Sequence, residues 1–233
     1  MKIAVISDIH ANLEALNAVI ARIDSMEINL VYCLGDIVGY GPDPNECIRV
    51  IHRRNLRCVA GNHDRAAAGD RSIEKFSPLA RYTVDWTKSE LTAENREYLK
   101  NLPYSIEESN ALFLHASPEL PEEFRYILNE DDAADNFAYF STPICFIGHT
   151  HQPVIFLENG NGEGKVNHSK RLVNAGSVGQ PRDGDWRACF AVYDSQNMQT
   201  EFIRVEYDVE STCGKILSAG FPKQLCSRLV IGV

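Results

Sequence analysis

Five apolar segments of the chain each end in residue types that bind divalent metal ions, and this recurrence restricts the fold more than any other feature. The first segment, Lys2–Ser7, is followed by Asp8 and His10. Side chains at positions i and i+2 of an extended segment lie on one face, so this carboxylate and imidazole converge and form half of a metal site. The other four segments end in Gly35-Asp36, Gly61-Asn62-His63-Asp64, His115 and Gly148-His149-Thr150-His151.

Apolar residues at helical spacing between apolar strands predict two successive βαβ units at the start of the chain. Their elements are strand Lys2–Ser7, helix Asn12–Met26, strand Asn29–Leu34, helix Pro44–Arg54 with Asp43 as its N-cap, and strand Leu56–Ala60. The strands of such units are parallel, and ligands bind outside their carboxyl ends. Asp8, Asp36 and the loop Gly61–Asp64 are therefore expected at one edge of a sheet.

The rest of the chain mixes helical segments with short strands. Helices are predicted over Ser77–Lys88, Thr92–Lys100, Asp131–Phe140, Val209–Ala219 and Pro222–Leu229, the first two within a helical insertion at about 65–102. Strands are predicted over a hairpin, Ile106–Leu114, and over Ile144–Ile147, Val154–Leu157, Arg171–Asn174, Cys189–Tyr193 and Glu201–Glu206, with a flexible hairpin tip at 159–164. The prediction is one α/β domain, 1–233, of two packed sheets, the first mainly parallel and the second mixed, with helices outside and closing helices at about 209–229.

Composition argues against several classes of protein. The formal net charge of -9 disfavours broad binding to nucleic acid or to anionic membranes, although it leaves room for a local positive site in a cleft. No apolar run approaches the roughly 18 residues of a membrane helix. The seven cysteines, an odd number without a C-x-x-C pair, and a start without an export signal predict a cytoplasmic protein.

Chemistry alone sorts the predicted ligands into two ion sites that share Asp36, because a carboxylate can bridge ions roughly 3.5–4 Å apart. One set is Asp8, His10, Asp36 and His151, and the other is Asp36, Asn62, His115 and His149. Nitrogen and oxygen ligands without a thiolate favour Mn, Fe, Zn, Ni or Co, so we expect two divalent metal ions as cofactors.

His63 and Asp64 are predicted to be catalytic. Two divalent ions, two carboxylates and a bridging hydroxide leave a small positive charge, which suits an anionic substrate. Paired metals lower the pKa of the bridging water to roughly 7 and clamp an in-line displacement at phosphorus. His63 is placed to protonate the leaving oxygen, and Asp64 to orient His63.

Each of these residues has a simpler explanation when it is considered alone. Alone, Asp8 and Asp36 are typical of turns at strand ends. His115 is typical of a histidine buried in the core, and Asn62 is typical of a left-handed turn. His52 and His168 are assigned to the surface, and the segment 176–179 lacks the G-x-S-x-G pattern of a serine hydrolase. Five such motifs in one order are not explained by turns, so the metal-site interpretation is favoured.

That order, D-x-H, G-D, G-N-H-D, H and G-H-T-H, resembles the calcineurin-like metallophosphoesterase superfamily from Lys2 to about Arg187. The amino-acid sequences of segments 35–42 and 174–182 resemble those of the compact prokaryotic branch of this superfamily, which is related to YfcE-type phosphodiesterases. The resemblance implies a four-layer α/β/β/α sandwich, a dinuclear site with the ligands named above, and metal-dependent hydrolysis of phosphoesters, often phosphodiesters. It also implies that His63 is the histidine at the leaving group.

Protein serine/threonine phosphatases and diadenosine tetraphosphate hydrolases of this superfamily have the pattern G-D-x-V-D-R-G, and here Gly39 and Tyr40 replace its second Asp and its Arg. The usual partner of His63 and the usual phosphate-clamping arginine are therefore missing. This argues against a phosphoprotein phosphatase and weakens the case for a dinucleoside polyphosphate substrate. Arg182 and Arg65 are candidates for contacting phosphate instead, and Tyr40 is a candidate for lining the substrate site.

The predicted function is a two-metal phosphoesterase that hydrolyses phosphodiesters of small molecules or nucleotides. A phosphomonoesterase and a dinucleoside polyphosphate hydrolase are alternatives within the same chemistry. A nuclease and a non-catalytic metal-binding scaffold are alternatives of other classes; the net charge of -9 counts against the first. The apolar end Leu229-Val230-Ile231 fits a core or a dimer contact, which leaves monomer and homodimer open.

Overall fold

The computed structural model describes residues 1–158 and 170–233 and contains ten strands and eight α-helices in that part of the chain. The strands are β1 Lys2–Ile6, β2 Val31–Cys33, β3 Arg57–Cys58, β4 Ser105–Glu108, β5 Ala111–Leu114, β6 Ile144–Ile147, β7 Val154–Leu157, β8 Arg171–Asn174, β9 Ala188–Asp194 and β10 Gln199–Val205. The helices are α1 Leu13–Ser25, α2 Pro44–Arg53, α3 Asn62–Ala68, α4 Pro78–Glu90, α5 Ala93–Asn101, α6 Glu130–Asn136, α7 Val209–Ser218 and α8 Lys223–Ile231. The predicted hairpin tip at 159–164 and His168 lie outside the described residues.

Two five-stranded sheets are formed, with strand orders β10-β9-β1-β2-β3 and β4-β5-β6-β8-β7. β1, β2 and β3 are mutually parallel, which confirms the two predicted βαβ units. The prediction of a mainly parallel first sheet is wrong, because β9 and β10 extend it on the other side of β1 as an antiparallel pair. The second sheet is mixed, as predicted, with β5, β6 and β8 parallel and β4 and β7 antiparallel at its edges.

The two sheets pack face to face through an apolar layer in which aromatic rings from both sheets stack. The rings of Tyr32 and Phe113 lie 3.7 Å apart between centroids, and Phe146 continues the stack at 5.4 Å from Phe113. Helices α1 and α2 cover the outer face of the first sheet, and α6 covers the outer face of the second. This arrangement confirms the four-layer α/β/β/α sandwich.

Helix α3 was not predicted, because the segment Gly61–Asp64 was expected to be a loop. The helix begins at Asn62, directly after Gly61, whose backbone is extended (φ -95°, ψ 171°). The carboxylate of Asp64, at the third helical position, accepts a hydrogen bond from the Gly61 amide at 3.0 Å, which satisfies a donor that a helix start leaves free. The helix ends at Gly69, which is left-handed (φ 86°).

Other predicted boundaries need smaller corrections. Asp43 does stand at the N-cap of α2, but its carboxylate makes no capping bond and instead pairs with Nζ of Lys215 at 2.9 Å, which connects α2 to α7. The helix predicted to reach Phe140 ends at Asn136, and a 3-10 turn, Phe137–Tyr139, follows. Thr92 caps α5 as predicted, through the amide of Asn95 at 3.2 Å.

The C-terminal apolar end divides between core and surface. Leu229 is 4% exposed and packs in a cluster with residues of α4 and α7, whereas Val230 and Ile231 are 58% and 57% exposed. His52 is exposed, as predicted, and all seven cysteines are free thiols. Within the described ranges, no helix is long and apolar enough to cross a bilayer. The domain extents, the cytoplasmic location and the oligomeric state stay predictions.

Candidate metal centre

The seven predicted ligands come together because the carboxyl ends of strands from both sheets meet. Asp8 and His10 follow β1, Asp36 follows β2, Asn62 follows β3, His115 follows β5, and His149 and His151 follow β6. All seven are buried. Polar groups that bind a ligand beyond parallel strand ends are a common arrangement in α/β sheets.

Five of these ligands have left-handed backbones that only glycine adopts without cost. The φ angles are 53° at Asp8, 49° at His10, 50° at Asp36, 68° at His149 and 63° at His151. A left-handed residue with a Cβ atom costs roughly 1–2 kcal/mol, and such strain concentrates at functional sites. Five of the fourteen non-glycine residues with positive φ in the described part of the chain are therefore predicted ligands.

The first group of ligand atoms contains Asp8, His10 and His151. Nε2 of His10 lies 3.1 Å from Nε2 of His151, and Oδ1 of Asp8 lies 3.2 Å from the latter and 3.8 Å from the former. The second group contains Asp36, Asn62, His115 and His149. Nε2 of His115 lies 3.2 Å from both Oδ1 of Asn62 and Nδ1 of His149, and 3.4 Å from Oδ2 of Asp36.

The hydrogen bonds of His10 and His151 favour a cation between the two rings. Nδ1 of His10 donates to the carbonyl of Val38 at 3.2 Å, and Nδ1 of His151 donates to that of Gln180 at 2.6 Å. Each Nε2 then carries a lone pair. Two lone pairs at 3.1 Å repel each other, and Oδ1 of Asp8 accepts no hydrogen bond from any described residue.

A metal ion fits these donors. Ligand atoms at about 2.1 Å from a metal are about 3 to 3.5 Å apart in tetrahedral or octahedral geometry, which matches the separations given above except the 3.8 Å between Oδ1 of Asp8 and Nε2 of His10. The carbonyl partners of His10, His115 and His151 are the outer contacts that fix metal-binding tautomers. The residues present therefore fit metal binding; the number and identity of the ions belong to the proposal below.

Burial and neighbouring charges shift the pKa values of the centre in opposite directions. Burial lowers the pKa of His149 to about 3 and that of His63 to about 4. Burial also opposes charge on His115, but the Asp36 carboxylate outweighs it and raises the pKa of His115 to about 9. Burial and the charge of Asp36 raise the pKa of Asp64 to about 7. The two buried carboxylates, Asp8 and Asp36, thus attract positive charge into the centre.

The ring of His63 lies at the edge of the metal centre. Its centroid is 4.8 Å from that of Tyr40, 4.9 Å from that of His10 and 4.9 Å from that of Phe76. The His63 amide donates to Oδ1 of Asp36 at 2.8 Å, which ties the start of α3 to the shared carboxylate. Nδ1 of His63 is buried and has no hydrogen-bond partner in the described part of the chain.

The geometry disagrees with the expected contact of Asp64. Its carboxylate accepts hydrogen bonds from the amides of Ile37 (2.9 Å), Val38 (3.2 Å) and Gly61 (3.0 Å), and none of its bonds to described residues reaches the His63 ring. Asp64 therefore holds the loops after β2 and β3 together instead of orienting His63.

Arg65 also lies elsewhere than expected. Its guanidinium is buried, donates to the carbonyls of Lys100 and Leu102, and packs on the Tyr104 ring at 4.3 Å. Because α3 begins at Asn62, His63 and Arg65 are two residues apart on a helix and face different sides. Arg65 connects α3 to α5 and is not a substrate contact.

A cavity of about 490 Å³ opens beside the metal centre. Asn62, His63 and His149 form its floor, and two of the predicted substrate contacts, Tyr40 and Arg182, line it. Residues that sequence reasoning missed complete its wall: Arg71, Lys75, Phe76, Glu123, Phe124, Tyr126 and Arg228. They lie in segments without a motif, and no pattern in the sequence indicates that they meet.

Comparisons with known proteins agree with this geometry. A model of the calcineurin-like phosphoesterase superfamily domain matches residues 1–198. The chain is 42% identical over 240 residues to an uncharacterized protein of Methanocaldococcus jannaschii, which covers 99% of this chain and 98% of that protein. A metallophosphoesterase structure from Sphaerobacter thermophilus matches with TM-score 0.86 and 40% identity over 100% of this chain and 99% of its own. A hypothetical protein from Pyrococcus horikoshii OT3 shares the fold with TM-score 0.86 and 23% identity over 100% and 98% of the two chains.

Proposed function

The chain belongs to the calcineurin-like phosphoesterase superfamily and is a hydrolase of phosphoric esters, and from that premise we propose a dinuclear-metal phosphodiesterase that acts on small molecules or nucleotides. The predicted superfamily is thereby confirmed. The two-metal mechanism, the ion identity and the substrate are the proposal.

The position of Asp36 carries this proposal. Its Oδ2 lies 3.7 Å from Nε2 of His10, in the first ligand group, and 3.4 Å from Nε2 of His115, in the second. Its Oδ1 is held by the His63 amide, so the carboxylate orientation is fixed. A single carboxylate facing both groups suits a ligand shared between two ions. The ligands would be Asp8, His10, Asp36 and His151 for one ion, and Asp36, Asn62, His115 and His149 for the other.

The ions, when bound, would supply Lewis-acid chemistry that activates water and neutralises phosphoryl charge. The set of imidazole, carboxylate and amide ligands suits Mn, Fe, Zn, Ni or Co. The carbonyls of Val38, Leu34 and Gln180 hold three imidazoles in the orientation that binding requires.

His63 is proposed to protonate the leaving oxygen; because burial lowers its pKa to about 4 in the substrate-free protein, the ring would take up this proton only with an anionic substrate beside it. It lies on the floor of the cavity beside Asn62, so a scissile group there is within its reach. Arg182 lines the same cavity, and its backbone amide donates to the carbonyl of His151 at 3.3 Å, which places it beside the centre. We assign Arg182 the role of the missing clamping arginine.

The cavity supports a small substrate. About 490 Å³ accommodates a drug-sized molecule or a nucleotide. The rings of Phe76, Phe124 and Tyr126 offer apolar faces for a nucleobase or another flat group, and Tyr126 itself stacks on His149 at 3.9 Å. The net charge of -9 counts against a nuclease that follows a polymer.

A phosphomonoesterase is the second candidate, because the cavity wall carries more positive than negative side chains. The cavity is lined by four cationic side chains and one acidic side chain, Glu123; the cations are Arg71, Lys75, Arg182 and Arg228. A monoester has two negative charges near neutral pH where a diester has one, so it would gain more from this surplus.

The experiment is hydrolysis of bis-p-nitrophenyl phosphate beside p-nitrophenyl phosphate, after removal of metal with a chelator and reloading with Mn, Ni or Zn. Metal-restored cleavage of the diester supports the proposal, and cleavage of the monoester alone moves the assignment to a phosphomonoesterase. His149→Ala is expected to lose the restored activity, and His52→Ala, which changes an exposed histidine, is expected to keep it. Equal activity with and without metal would contradict the proposal.

A further inference from the structure

Two arginines from distant parts of the chain flank one tyrosine at the cavity wall. The Cζ atoms of Arg182, in the loop after β8, and of Arg228, on α8, each lie 5.8 Å from the centroid of the Tyr40 ring. The same ring lies 4.8 Å from the rings of His10 and His63. The pair of guanidiniums therefore borders the metal centre.

Neither arginine of this pair has an Asp or Glu side chain as partner within residues 1–158 and 170–233. Nη2 of Arg182 donates to Oε1 of Gln180 at 3.0 Å, and its buried Nε has no partner there. Nε of Arg228 donates to a main-chain oxygen of Val233, the last residue of the sequence, at 2.9 Å. Burial and the positive charge of Arg182 lower the pKa of Arg228, and a hydrogen bond with Tyr40 partly offsets this.

Some arginines elsewhere in this chain pair with carboxylates, and others bond only backbone carbonyls. Arg54 pairs with Asp24, Arg57 with Glu108, and Arg204 with Asp183. Arg182 and Arg228 are half-buried and line the cavity beside the metal centre, where their charge lacks an acidic side chain as partner. An anion that arrives with the substrate supplies the missing partner, since guanidiniums bind phosphate through paired hydrogen bonds.

The wall carries two other cations, Arg71 and Lys75. Arg71 donates to the carbonyls of Glu122 (2.6 Å) and Glu123 (3.1 Å), so it holds the loop that carries Phe124. Lys75 adds positive charge without an ion pair to any described acid. Arg182 and Arg228 are the two cavity-lining cations that lie against the Tyr40 ring beside the centre.

We infer that Arg182 and Arg228 bind a second anionic group of the substrate, next to the phosphodiester that is cleaved. The inference rests on the proposed function, which it deepens: the substrate class is a nucleotide-type phosphodiester that carries an additional phosphate. Arg228 is then a specificity-determining residue contributed by the last helix of the chain. Arg182 contacts both the scissile group and the second phosphate, because it lies beside His151 as well as Arg228.

The test compares a thymidine dinucleotide with and without a 5′-phosphate as substrates of the metal-loaded enzyme. The phosphorylated dinucleotide is expected to have a kcat/KM at least about tenfold higher, since a charge-assisted bond to phosphate contributes on that order. In Arg228→Gln this preference is expected to fall close to one, and Arg228→Lys, which keeps the charge but loses the planar fork, is expected to lie between. Arg53→Gln, an exposed arginine on α2, is the control and should keep the wild-type preference.

Equal kcat/KM for the two dinucleotides in the wild type would overturn the second-phosphate site while hydrolysis of either still supports the phosphodiesterase. A preference unchanged in Arg228→Gln would overturn the role of Arg228. If neither dinucleotide is cleaved with any metal, calorimetry with inorganic pyrophosphate on the metal-free protein tests the anion site independently of turnover. Binding at least about tenfold weaker in Arg228→Gln than in Arg53→Gln is expected, and equal binding would overturn the site.

Discussion

Gly39 packs directly against the ring of His63 and leaves no room for a side chain between them. A Cβ atom at Gly39 would lie 3.1 Å from Cγ of that ring and closer still to Nδ1, the atom that has no partner among described residues. Gly39 stands where the pattern G-D-x-V-D-R-G has its second aspartate. Because glycine has no carboxylate, Nδ1 of His63 lacks the partner that this aspartate would supply. Packing against Tyr40, Phe76 and His10 orients His63 instead.

The first prediction concerns the leaving group. His63→Ala is expected to lower kcat by about 10²-fold or more for a dinucleotide, whose alkoxide must be protonated, because general acids contribute 10²–10⁴-fold. The loss should be far smaller for bis-p-nitrophenyl phosphate, because p-nitrophenolate leaves without a proton. Steady-state kinetics on both substrates measure this difference. Equal losses on both, with metal content unchanged, would remove the assigned role.

Gly148 allows the backbone to approach Asp8 closely. A Cβ atom there would lie 2.5 Å from Oδ2 of Asp8, so Gly148→Ala is expected to displace this carboxylate and lower both metal content and stability, the latter by about 1–3 kcal/mol. Gly214→Ala is the matched control, since its site in α7 is open and a helical alanine is more favourable by about 0.5–1 kcal/mol. Metal analysis and urea unfolding measure both effects; full metal content in Gly148→Ala would contradict the packing argument.

Asp64 is expected to act on stability and not on the chemical step. Asp64→Asn turns one accepting oxygen into an amide donor that faces backbone N–H groups, which costs about 1–3 kcal/mol of unfolding free energy. Turnover per bound metal should change little, because the His63 ring is not among its contacts. A large fall in kcat with unchanged unfolding free energy would restore the catalytic role predicted from the sequence.

Substitution of Arg65 is expected to change stability, whereas substitution of Arg182 is expected to change substrate binding. Arg65→Gln loses bonds to buried carbonyls of the α5 end and should lower the unfolding free energy by about 1–3 kcal/mol, with kcat/KM of the folded enzyme unchanged. Arg182→Gln should instead raise KM for phosphodiesters, because its side chain lines the cavity. Kinetics beside denaturant unfolding distinguish the two, and the reverse pattern would show that the assignment of the arginines is wrong.

Metal binding is expected to release a proton from His115. Nδ1 of His115 donates to the Leu34 carbonyl at 2.7 Å, so a metal must bind at Nε2. The pKa of His115 is raised to about 9, so near pH 7 the folded metal-free protein holds a proton there that a metal must displace. Apparent affinity should therefore rise by about tenfold per pH unit from pH 7 towards pH 9. Calorimetry in buffers of different ionisation enthalpy counts the proton; no release would contradict the shift.

The convergence of the proposed ligands was predictable from the sequence because their positions depend only on where strands end. Asp8, Asp36 and His149 each follow an apolar strand directly, and parallel strands fix their common edge. Errors arose where a helix replaced an expected loop: once α3 begins at Asn62, Asp64 becomes a cap and Arg65 turns to the opposite side. Such a short helix has no periodicity to detect.

The substrate wall was not predictable for a different reason. Arg228 reaches the cavity from α8, and Tyr126 from an irregular segment, so their proximity to His63 depends on tertiary packing alone. The sequence has a negative net charge. The positive charge of this one cavity cannot be predicted from it, because the cations that line the cavity are distant in sequence and meet only in the folded chain.

A titration of metal-free protein with Mn, with bis-p-nitrophenyl phosphate hydrolysis as the readout, counts the ions that turnover needs. Turnover is expected to rise with added metal and to saturate at about two equivalents per chain, since both ligand groups must be filled. In Asp36→Asn, which removes the shared carboxylate, the same titration should give no saturable turnover. Saturation of the wild type at about one equivalent, or full turnover without metal, would contradict the dinuclear centre.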